Sequence, residues 1–233
     1  MKWQLSAFFP AYNEESQINS TVIKAKSVLE RIADKWEIII IDDGSKDKTV
    51  DIVDRLAKND KRIKLVSHKT NRGYGASLKT GFYTSKYPWI IFTDSDGQFD
   101  FSQITSFLSL QKRTGADAVI GYYLKREVPL TRKINTFLWQ LVVNALFGLR
   151  VKDIDCGFKL ISKKAIESIP KLESERGAFI SSELLIKIKK GGFNIVEVGV
   201  SHFPRRTGKG TGANLNVIVK SFSDLFKLWG KLR

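Results

Sequence analysis

The stretch WIIFTDSDGQ, residues 89–98, decides the fold. Its apolar first half predicts a fully buried strand, and such a strand ends at the edge of the sheet where open α/β folds bind ligands. Side chains two positions apart on an extended segment share a face, so Asp94 and Asp96 can converge on one divalent cation, with Gln98 adding a neutral oxygen. The alternative is a polar turn, because Asp, Ser and Gly are ordinary turn residues.

Three further strands of the same kind are predicted, and each leads into a polar or acidic cluster. The strands lie at residues 5–9, 37–41 and 63–66, and the clusters lie at 10–15, 42–45 and 71–76. Because these strands are rich in Ile, Val and Phe and are followed by helical periods, they indicate a parallel sheet with helices on its faces. Each cluster therefore occupies a similar position at the end of a strand.

Two of the helices follow from apolar residues at three- and four-residue spacing. The first carries Ile18, Val22, Ala25, Leu29 and Ile32, and the second carries Ile52, Val53, Leu56 and Ala57. Ser45 and Asp47 suit the N-cap of the second helix. The first ~120 residues therefore indicate one doubly wound, nucleotide-binding half of an α/β domain.

The glycine-containing segment at residues 71–76, NRGYGA, precedes another predicted helix. Its backbone N–H groups could bind an anionic oxygen, but glycine also serves simple turns, and we favour the turn. Two interpretations also apply to Glu14, which either contacts a ligand or complements the dipole of the helix that follows it.

Composition limits the classes of protein that need to be considered. The 233 residues allow one large α/β unit or one with an appended lobe, and the single cysteine, Cys156, excludes a disulfide framework. No run of about 20 apolar residues is present, so we expect no membrane-spanning helix. The net charge of +15 calls for an anionic partner, either nucleic acid, anionic lipid or a phosphorylated substrate. No nucleic-acid-binding motif accompanies this charge, so we expect no nucleic-acid partner.

Taken in order, these motifs resemble the family-2 glycosyltransferases of the A-type fold, and among them the dolichyl- or polyprenyl-phosphate mannose synthase group. The resemblance runs from residues 10–14, PAYNE, to residues 204–208, PRRTG. It implies the nucleotide-diphospho-sugar transferase fold, an α/β architecture with a mostly parallel central sheet and helices on both faces.

The resemblance also implies the roles of individual residues. The nucleotide-sugar donor would be bound by Pro10, Tyr12, Glu14, Asp42 and Asp94, with Arg205 as a phosphate-facing residue. Asp94, Asp96 and Gln98 match the motif that holds Mg²⁺ or Mn²⁺ on the donor diphosphate. Asp153, within VKDIDCGF at residues 151–158, matches a later Asp and Gly-Phe element of the family. The expected catalytic residues are Asp96, Arg126, Arg132 and Asp153.

The nature of the acceptor decides which of these residues act. A lipid phosphate is largely ionised near neutral pH and needs cationic positioning rather than a base. Arg126 and Arg132 look like the arginines that position such a phosphate, and Arg205 could serve either the donor or the acceptor. The alternative for each is an ordinary surface arginine. A hydroxyl acceptor would instead require a base, for which Asp153 and Asp155 are the candidates.

Two segments favour contact with a membrane surface. Residues 134–149 carry no charge and have one apolar helical stripe, and the tail has another, formed by Phe222, Leu225, Phe226, Trp229 and Leu232. Basic, aromatic amphipathic helices lie in the membrane interface, although each stripe could also pack on the protein core or on a second subunit. We expect a catalytic domain at residues 1–212 and an amphipathic helix at 213–233.

The sequence therefore predicts an inverting enzyme that transfers a sugar from a nucleotide diphosphate to a polyprenyl phosphate at the cytoplasmic face of the membrane. Its expected attachment is peripheral, with a homo-oligomer or a membrane-protein partner left open. A same-fold alternative transfers the sugar to a saccharide or another hydroxyl. A nucleotidyltransferase and a non-enzymatic nucleic-acid-binding protein are alternatives of other classes. The sugar and the base are not identified by the residues.

Overall fold

The computed structural model describes residues 3–125, 130–175, 177, 179–204 and 215–232, without the side chains of 130–133 and 215–220. The described strands are β1 Trp3–Ala11, β2 Ala33–Asp42, β3 Ile63–Ser67, β4 Trp89–Thr93, β5 Ala118–Tyr123, β6 Phe158–Ser162 and β7 Ile195–Val200. The described α-helices are α1 Ile18–Ile32, α2 Thr49–Asn59, α3 Tyr74–Thr84, α4 Ile104–Thr114, α5 Leu130–Phe147, α6 Lys163–Ser168, α7 Phe179–Lys190 and α8 Leu215–Lys231.

The strands form one sheet in the order β3-β2-β1-β4-β6-β5-β7. The first four strands pair in parallel, so their carboxyl ends meet at one edge, as the sequence predicts. β6 lies antiparallel between β4 and β5, and β7 is parallel to β5. The sheet is thus mostly parallel. β6, which comes from the second half of the chain, lies directly beside β4.

Apolar side chains cover both faces of the sheet, which confirms the predicted layers. On one face Phe9 and Ile91 pack with the inner sides of α1 and α4, where Val22 and Phe107 are fully buried. On the other face Phe8, Ile39 and Phe92 pack with α3, α6 and α7. Burying one such side chain contributes about 1.5–3 kcal/mol, so this double layer holds the strand ends in fixed positions.

The beginning of α2 differs in detail from the prediction. Lys48 occupies the N-cap position, so neither Ser45 nor Asp47 caps the helix in the expected way. Asp47 lies one residue before the N-cap. It accepts hydrogen bonds from the backbone N–H (3.0 Å) and the hydroxyl of Thr49. Ser45 instead accepts from the N–H of Asn13, because the loop after β1 lies against the loop after β2.

The tail forms α8, and its apolar stripe packs mainly on the protein. Leu225 and Leu228 are buried with Val143 of α5 and Ile186 of α7, and Trp139 of α5 meets Phe222 edge to face at 5.1 Å. Core packing therefore explains most of this stripe, contrary to the membrane role that the sequence favoured. The expected domain boundary at 212 lies outside the described residues and stays a prediction.

The outer side of α5 remains uncovered. Ile134, Phe137, Leu138 and Leu141 are between 48% and 64% exposed, which is unusual for large apolar side chains on a single helix. Among the residues that the structure describes, no helix has both the length and the hydrophobicity to cross a bilayer. These four residues form the exposed apolar side of α5.

A buried carboxylate, Glu37 of β2, ties the sheet together at some distance from the acidic strand ends. It is 1% exposed and accepts from the hydroxyl of Ser6 (2.6 Å), the N–H of Lys86 (2.9 Å) and the ammonium of Lys64 (2.7 Å). Burial alone would raise the pKa of Glu37, but these hydrogen bonds outweigh it and hold the pKa below its usual value.

We expect Glu37→Gln to lower the free energy of unfolding by about 1–3 kcal/mol, because one of the buried bonds loses its partner. The folded-state pKa is depressed, so the contribution of Glu37 is present above its ordinary pKa of 4.5 and is lost as pH falls through the lower folded value. Urea unfolding at pH 7 and at pH 3 measures both effects.

The matched control for this prediction is Glu167→Gln, since the side chain of Glu167 is 63% exposed and lies 3.6 Å from Lys163. We expect a change of no more than about 0.5 kcal/mol for this variant. An equally small loss for Glu37→Gln would contradict the role assigned to the buried carboxylate.

Candidate active site

The turn after β4 arranges its carboxylates as the sequence predicts. Asp94 and Asp96 are partly exposed on one side, while Ser95 between them is buried and donates from its hydroxyl to the carbonyl of Pro10 at 2.7 Å. Gly97 has φ +74°, a conformation that favours glycine, and Asp96 accepts from the N–H of Gln98 at 3.0 Å. The strand end therefore presents two carboxylates together at the carboxyl edge.

Asp94 is fixed from two sides by Tyr74 and Gly157, which lie in segments that the sequence analysis noted without assigning these two residues a contact with Asp94. The hydroxyl of Tyr74, at the start of α3, donates to Asp94 Oδ1 at 2.9 Å. A Cβ added to Gly157 would lie 2.2 Å from Asp94 Oδ2, so only glycine leaves room for the carboxylate. Burial first, and then the charge of Asp94, raises the pKa of Tyr74 well above its usual value, which keeps the phenol a proton donor.

The glycine segment before α3 serves a turn. The N–H groups of Arg72 and Gly73 donate to the carboxylate of Asp43 at 2.9 and 2.8 Å. His68 Nδ1 bonds the same carboxylate at 2.7 Å, and Gly73 has φ +100°. These N–H groups therefore bind an internal carboxylate, and the turn also brings Tyr74 to Asp94.

The loops after β1 and β2 carry the predicted donor residues and lock together. Asn13, at φ +56°, accepts from the N–H of Lys46 at 2.8 Å, and the N–H of Glu14 donates to the hydroxyl of Thr49 at 2.9 Å. Tyr12 is 42% exposed, whereas Glu14 is 7% exposed. Tyr12 is thus the most accessible of the predicted donor residues on the loop after β1.

Asp42, the predicted donor residue after β2, is only 2% exposed. Its carboxylate accepts from the N–H groups of Gly44 and Ser45 at 3.2 Å each, a side-chain turn of the kind that Asp commonly forms. In the structure this residue shapes the loop, and its predicted contact with the donor stays a prediction.

The segment 151–158 folds over the end of β4 and brings the second acidic group to the site. Asp153 is 4% exposed and accepts from the N–H of Asp155 at 2.9 Å, while Asp155 itself is partly exposed. Burial raises the pKa of the adjacent Cys156 thiol to about 12, so this cysteine stays protonated and is not a thiolate nucleophile near neutral pH. Asp155 is the more accessible of the two predicted base candidates.

Lys159 is a further site residue that the sequence analysis missed. It is fully buried on β6 and donates to the carbonyls of Ile154 (3.3 Å) and Cys156. A lysine inside the apolar run Phe158-Lys159-Leu160-Ile161 was the signal that could have revealed it, since lysine is almost never fully buried without a partner.

The structure does not describe the side chains of the three predicted arginines. Arg126 and Arg205 lie outside the described residues, and Arg132 lies in the first turn of α5 without a described side chain. Their predicted contacts with phosphate therefore stay predictions.

The residues at the turn fit a divalent ion that is shared with a substrate. Within the described ranges no three His, Cys, Asp or Glu side chains form a complete metal site. Magnesium, however, is usually bound by one or two carboxylates together with substrate phosphates, which matches Asp94 and Asp96. The side-chain amide of Gln98 donates to the carbonyl of Phe203 at 3.0 Å, a bond that does not use its own oxygen.

A mostly parallel sheet with a pair of carboxylates at the carboxyl end of β4 is the architecture expected of a glycosyltransferase of the A-type fold. The family model described as Glycosyl transferase family 2 matches residues 6–169. The chain belongs to this family.

Relatives with curated names agree with this assignment. A dolichyl-phosphate beta-glucosyltransferase of Dictyostelium discoideum is 32% identical over 84% of the chain and 65% of its own length. Glycosyltransferase AglD of Haloferax volcanii is 27% identical over 87% of the chain. The chain spans only 33% of the length of AglD. The predicted resemblance to the dolichyl- or polyprenyl-phosphate mannose synthase group is confirmed as membership of the polyprenyl-phosphate sugar synthases, although the relative from Dictyostelium is named for glucose rather than mannose.

Solved structures confirm the fold. Glucosyl-3-phosphoglycerate synthase from Mycobacterium tuberculosis, in complex with Mn²⁺ and uridine-diphosphate-glucose, superposes with a TM-score of 0.71. The alignment covers 98% of this chain and 79% of the other at 21% identity, which supports the shared architecture alone.

We expect Gly157→Ala to reduce sugar transfer strongly, because the new Cβ would displace either Asp94 or the loop that covers it. Gly230→Ala is the matched control, since a Cβ there meets nothing within 4 Å. Transfer rates of both variants, with circular dichroism to establish folding, measure the effect. Full activity of a folded Gly157→Ala variant would show that the position of Asp94 is unimportant.

Proposed function

We propose that the protein is a metal-dependent, inverting glycosyltransferase that transfers a sugar from a nucleotide diphosphate to a polyprenyl phosphate. The observation that carries the proposal is the pair of partly exposed carboxylates, Asp94 and Asp96, at the carboxyl end of β4 in a family-2 chain. The relative named dolichyl-phosphate beta-glucosyltransferase supports the choice of acceptor.

In this proposal Asp94, Asp96 and the side-chain oxygen of Gln98 hold Mg²⁺ or Mn²⁺ on the donor diphosphate. The ion would stabilise the negative charge that develops on the nucleoside diphosphate as it leaves. Tyr74 and Gly157 serve by fixing the orientation of Asp94, so that its carboxylate is already in place when the donor arrives.

The donor would lie along the carboxyl edge of the sheet, over the loops after β1 and β2. Tyr12 is assigned to packing against the base, because its ring is substantially exposed. Pro10, Glu14 and Asp42 are assigned to the same pocket, where the buried carboxylate of Asp42 also keeps the loop after β2 in shape. Arg205 is assigned to a phosphate group on the basis of the sequence.

The reaction is a single displacement. A non-bridging oxygen of the lipid phosphate attacks the anomeric carbon, the bond from that carbon to the diphosphate oxygen breaks, and its electron pair leaves with the nucleoside diphosphate. The phosphate nucleophile is already ionised and needs no base. Arg126 and Arg132 are assigned to hold it, since guanidinium groups bind phosphate through paired hydrogen bonds.

A hydroxyl acceptor is the second candidate, favoured by the partial exposure of Asp155 in the loop whose Gly157 lies against Asp94. Such an acceptor loses a proton as it attacks, and a carboxylate at this position could take it. Asp153 is the less suitable base, because its carboxylate is almost completely buried and is engaged with the loop.

The exposed apolar side of α5 supports peripheral contact with a membrane, and the cytoplasmic face is assigned on the basis of the sequence. Its four uncovered apolar residues begin near the first turn of the helix, close in sequence to Arg132 and to the carboxyl end of β5. A surface that combines apolar side chains with positive charge suits an interface of anionic lipid.

We expect Asp96→Asn to lower sugar transfer by at least about 100-fold, because one of two carboxylates that hold the ion is lost. The thermal shift that Mn²⁺ gives the wild-type protein should also disappear. Asp54→Asn, on the exposed side of α2, removes the same charge away from the site and should leave both quantities unchanged. Full wild-type transfer in excess chelator would contradict the metal assignment.

The acceptor is tested with a long-chain polyprenyl phosphate in vesicles and with a short, water-soluble prenyl phosphate. We expect Arg132→Ala to raise KM for both acceptors by about 10-fold or more, since a charge-assisted bond to phosphate is lost, while donor affinity is unchanged. Phe137→Ser with Leu141→Ser should raise KM for the long-chain acceptor alone, because these exposed residues would act through the membrane.

Two outcomes would overturn the acceptor assignment. If Arg126→Ala with Arg132→Ala transfers sugar to both phosphates as well as the wild type, the lipid-phosphate mechanism is wrong. If Asp155→Asn abolishes transfer while both arginine variants stay active, a hydroxyl acceptor is the better conclusion.

A further inference from the structure

The fully buried ammonium of Lys159 is the starting point for a further inference. Lys159 and Lys187 are the two buried lysines among the described residues, at 0% and 2% exposure. A buried charge is costly unless it is paired, so each must have a compensating partner. Lys187 pairs with Glu183 at 2.6 Å and donates to the carbonyl of Lys171 at 2.7 Å. The surroundings of Lys159 are different.

Strand pairing places Lys159 beside the acidic turn. In the antiparallel ladder Phe92 of β4 lies opposite Lys159 of β6, and Thr93 lies opposite Phe158. Opposite residues share a face of the sheet, and so do residues two positions apart on one strand. Lys159, Phe92 and Asp94 therefore point to the same side, and the Lys159 ammonium lies 5.4 Å from the centre of the Phe92 ring.

The hydrogen bonds of Lys159 reach the loop that carries the second pair of carboxylates. The carbonyls of Ile154 and Cys156, which accept from its ammonium, flank Asp155 on both sides. The same loop continues to Gly157, against which the carboxylate of Asp94 lies. One buried cation thus connects the backbone around Asp155 to the place where Asp94 is held.

Electrostatics gives the same picture. Burial lowers the pKa of Lys159, and the negative charges of Asp153, Asp155 and Asp94 oppose that shift. The charges of all three carboxylates act on the buried ammonium of Lys159, whereas Lys187 has a dedicated glutamate on its own helix. Lys159 is therefore compensated by the residues to which the site chemistry is assigned.

We propose that Lys159 is a positioning residue whose buried positive charge balances Asp94, Asp153 and Asp155 while no metal is bound, and so keeps the site formed in the metal-free protein. This inference rests on the metal site of the proposed function. The fixed cation and the metal then compete for the same negative charge. Lys159 weakens the binding of the metal alone, and a donor diphosphate, which brings its own negative charge, restores it.

The test measures the thermal unfolding midpoint of the full chain with excess chelator and across a Mn²⁺ titration. The variants are Lys159→Gln, which can still donate a hydrogen bond, and Lys159→Arg, which retains the charge. Lys187→Gln is the matched control for the loss of a buried lysine. A ligand that binds only the native state raises the midpoint in proportion to its affinity, so the titration yields the Mn²⁺ dissociation constant of each folded protein.

For Lys159→Gln we expect a lower midpoint in chelator together with Mn²⁺ binding that is at least about 5-fold tighter than in the wild type. Lys159→Arg should bind Mn²⁺ as the wild type does. Lys187→Gln should lower the midpoint equally with and without Mn²⁺. A residue that served packing alone would behave like Lys187, so unchanged or weaker Mn²⁺ binding by Lys159→Gln would overturn the proposal.

A second pair of variants keeps the proposal testable if Lys159→Gln does not fold. Asp153→Asn removes one carboxylate and should lower the midpoint of the wild type but restore folding, or raise the midpoint, in the Lys159→Gln background. This reversal of sign is the signature of two charges that compensate each other. Destabilisation by Asp153→Asn in both backgrounds would overturn the charge balance.

The same measurements separate this inference from the proposed function. If Mn²⁺ does not shift the wild-type midpoint, the proposed metal site fails, and the competition between Lys159 and the metal fails with it. If Mn²⁺ shifts the wild type and Lys159→Gln by the same amount, the metal site stands and the role of Lys159 is wrong.

Discussion

The confinement of one carboxylate, that of Asp94, is the constraint on which the rest of the site depends. One oxygen accepts a hydrogen bond from Tyr74, and the other lies where a side chain at position 157 would be, so that only glycine fits there. The positions of α3, β4 and the loop before β6 therefore depend on one another. Because the interior of a protein is close-packed and transmits small displacements, a shift of any one of these three elements would displace the Asp94 carboxylate. The glycine turn before α3 brings Tyr74 to that carboxylate, and the buried lysine of β6 bonds the loop that continues to Gly157.

Local patterns were sufficient to predict much of this arrangement. The four parallel strands were recognisable because each is a short apolar run rich in Ile, Val or Phe, and α1 was recognisable because Val22, Ala25 and Leu29 lie on one helical stripe. The shared orientation of Asp94 and Asp96 follows from their two-residue spacing. In each case the signal lies within a few residues, where backbone geometry alone relates sequence to structure.

What could not be predicted depends on contacts between distant parts of the chain. Nothing near Lys159 in the sequence reveals that β6 lies antiparallel beside β4, and only that pairing brings Lys159 beside the acidic turn. Likewise, the stripe of α8 suits a bilayer as well as it suits α5 and α7, and only the packing of Leu225 and Trp139 decides between them. Amphipathic patterns identify a buried side without identifying what buries it.

The position of β6 between β4 and β5 has a consequence for biosynthesis. The amino-terminal strands can pair as soon as they leave the ribosome, but the covering loop with Gly157 and the buried lysine is made only after α5. Contacts between such distant segments form slowly, because the entropy of closing a long loop is lost before the contacts can contribute any stabilisation. Until then the nascent chain keeps an open strand beside its acidic turn, and chaperones that shield unpaired strand edges would act at this stage.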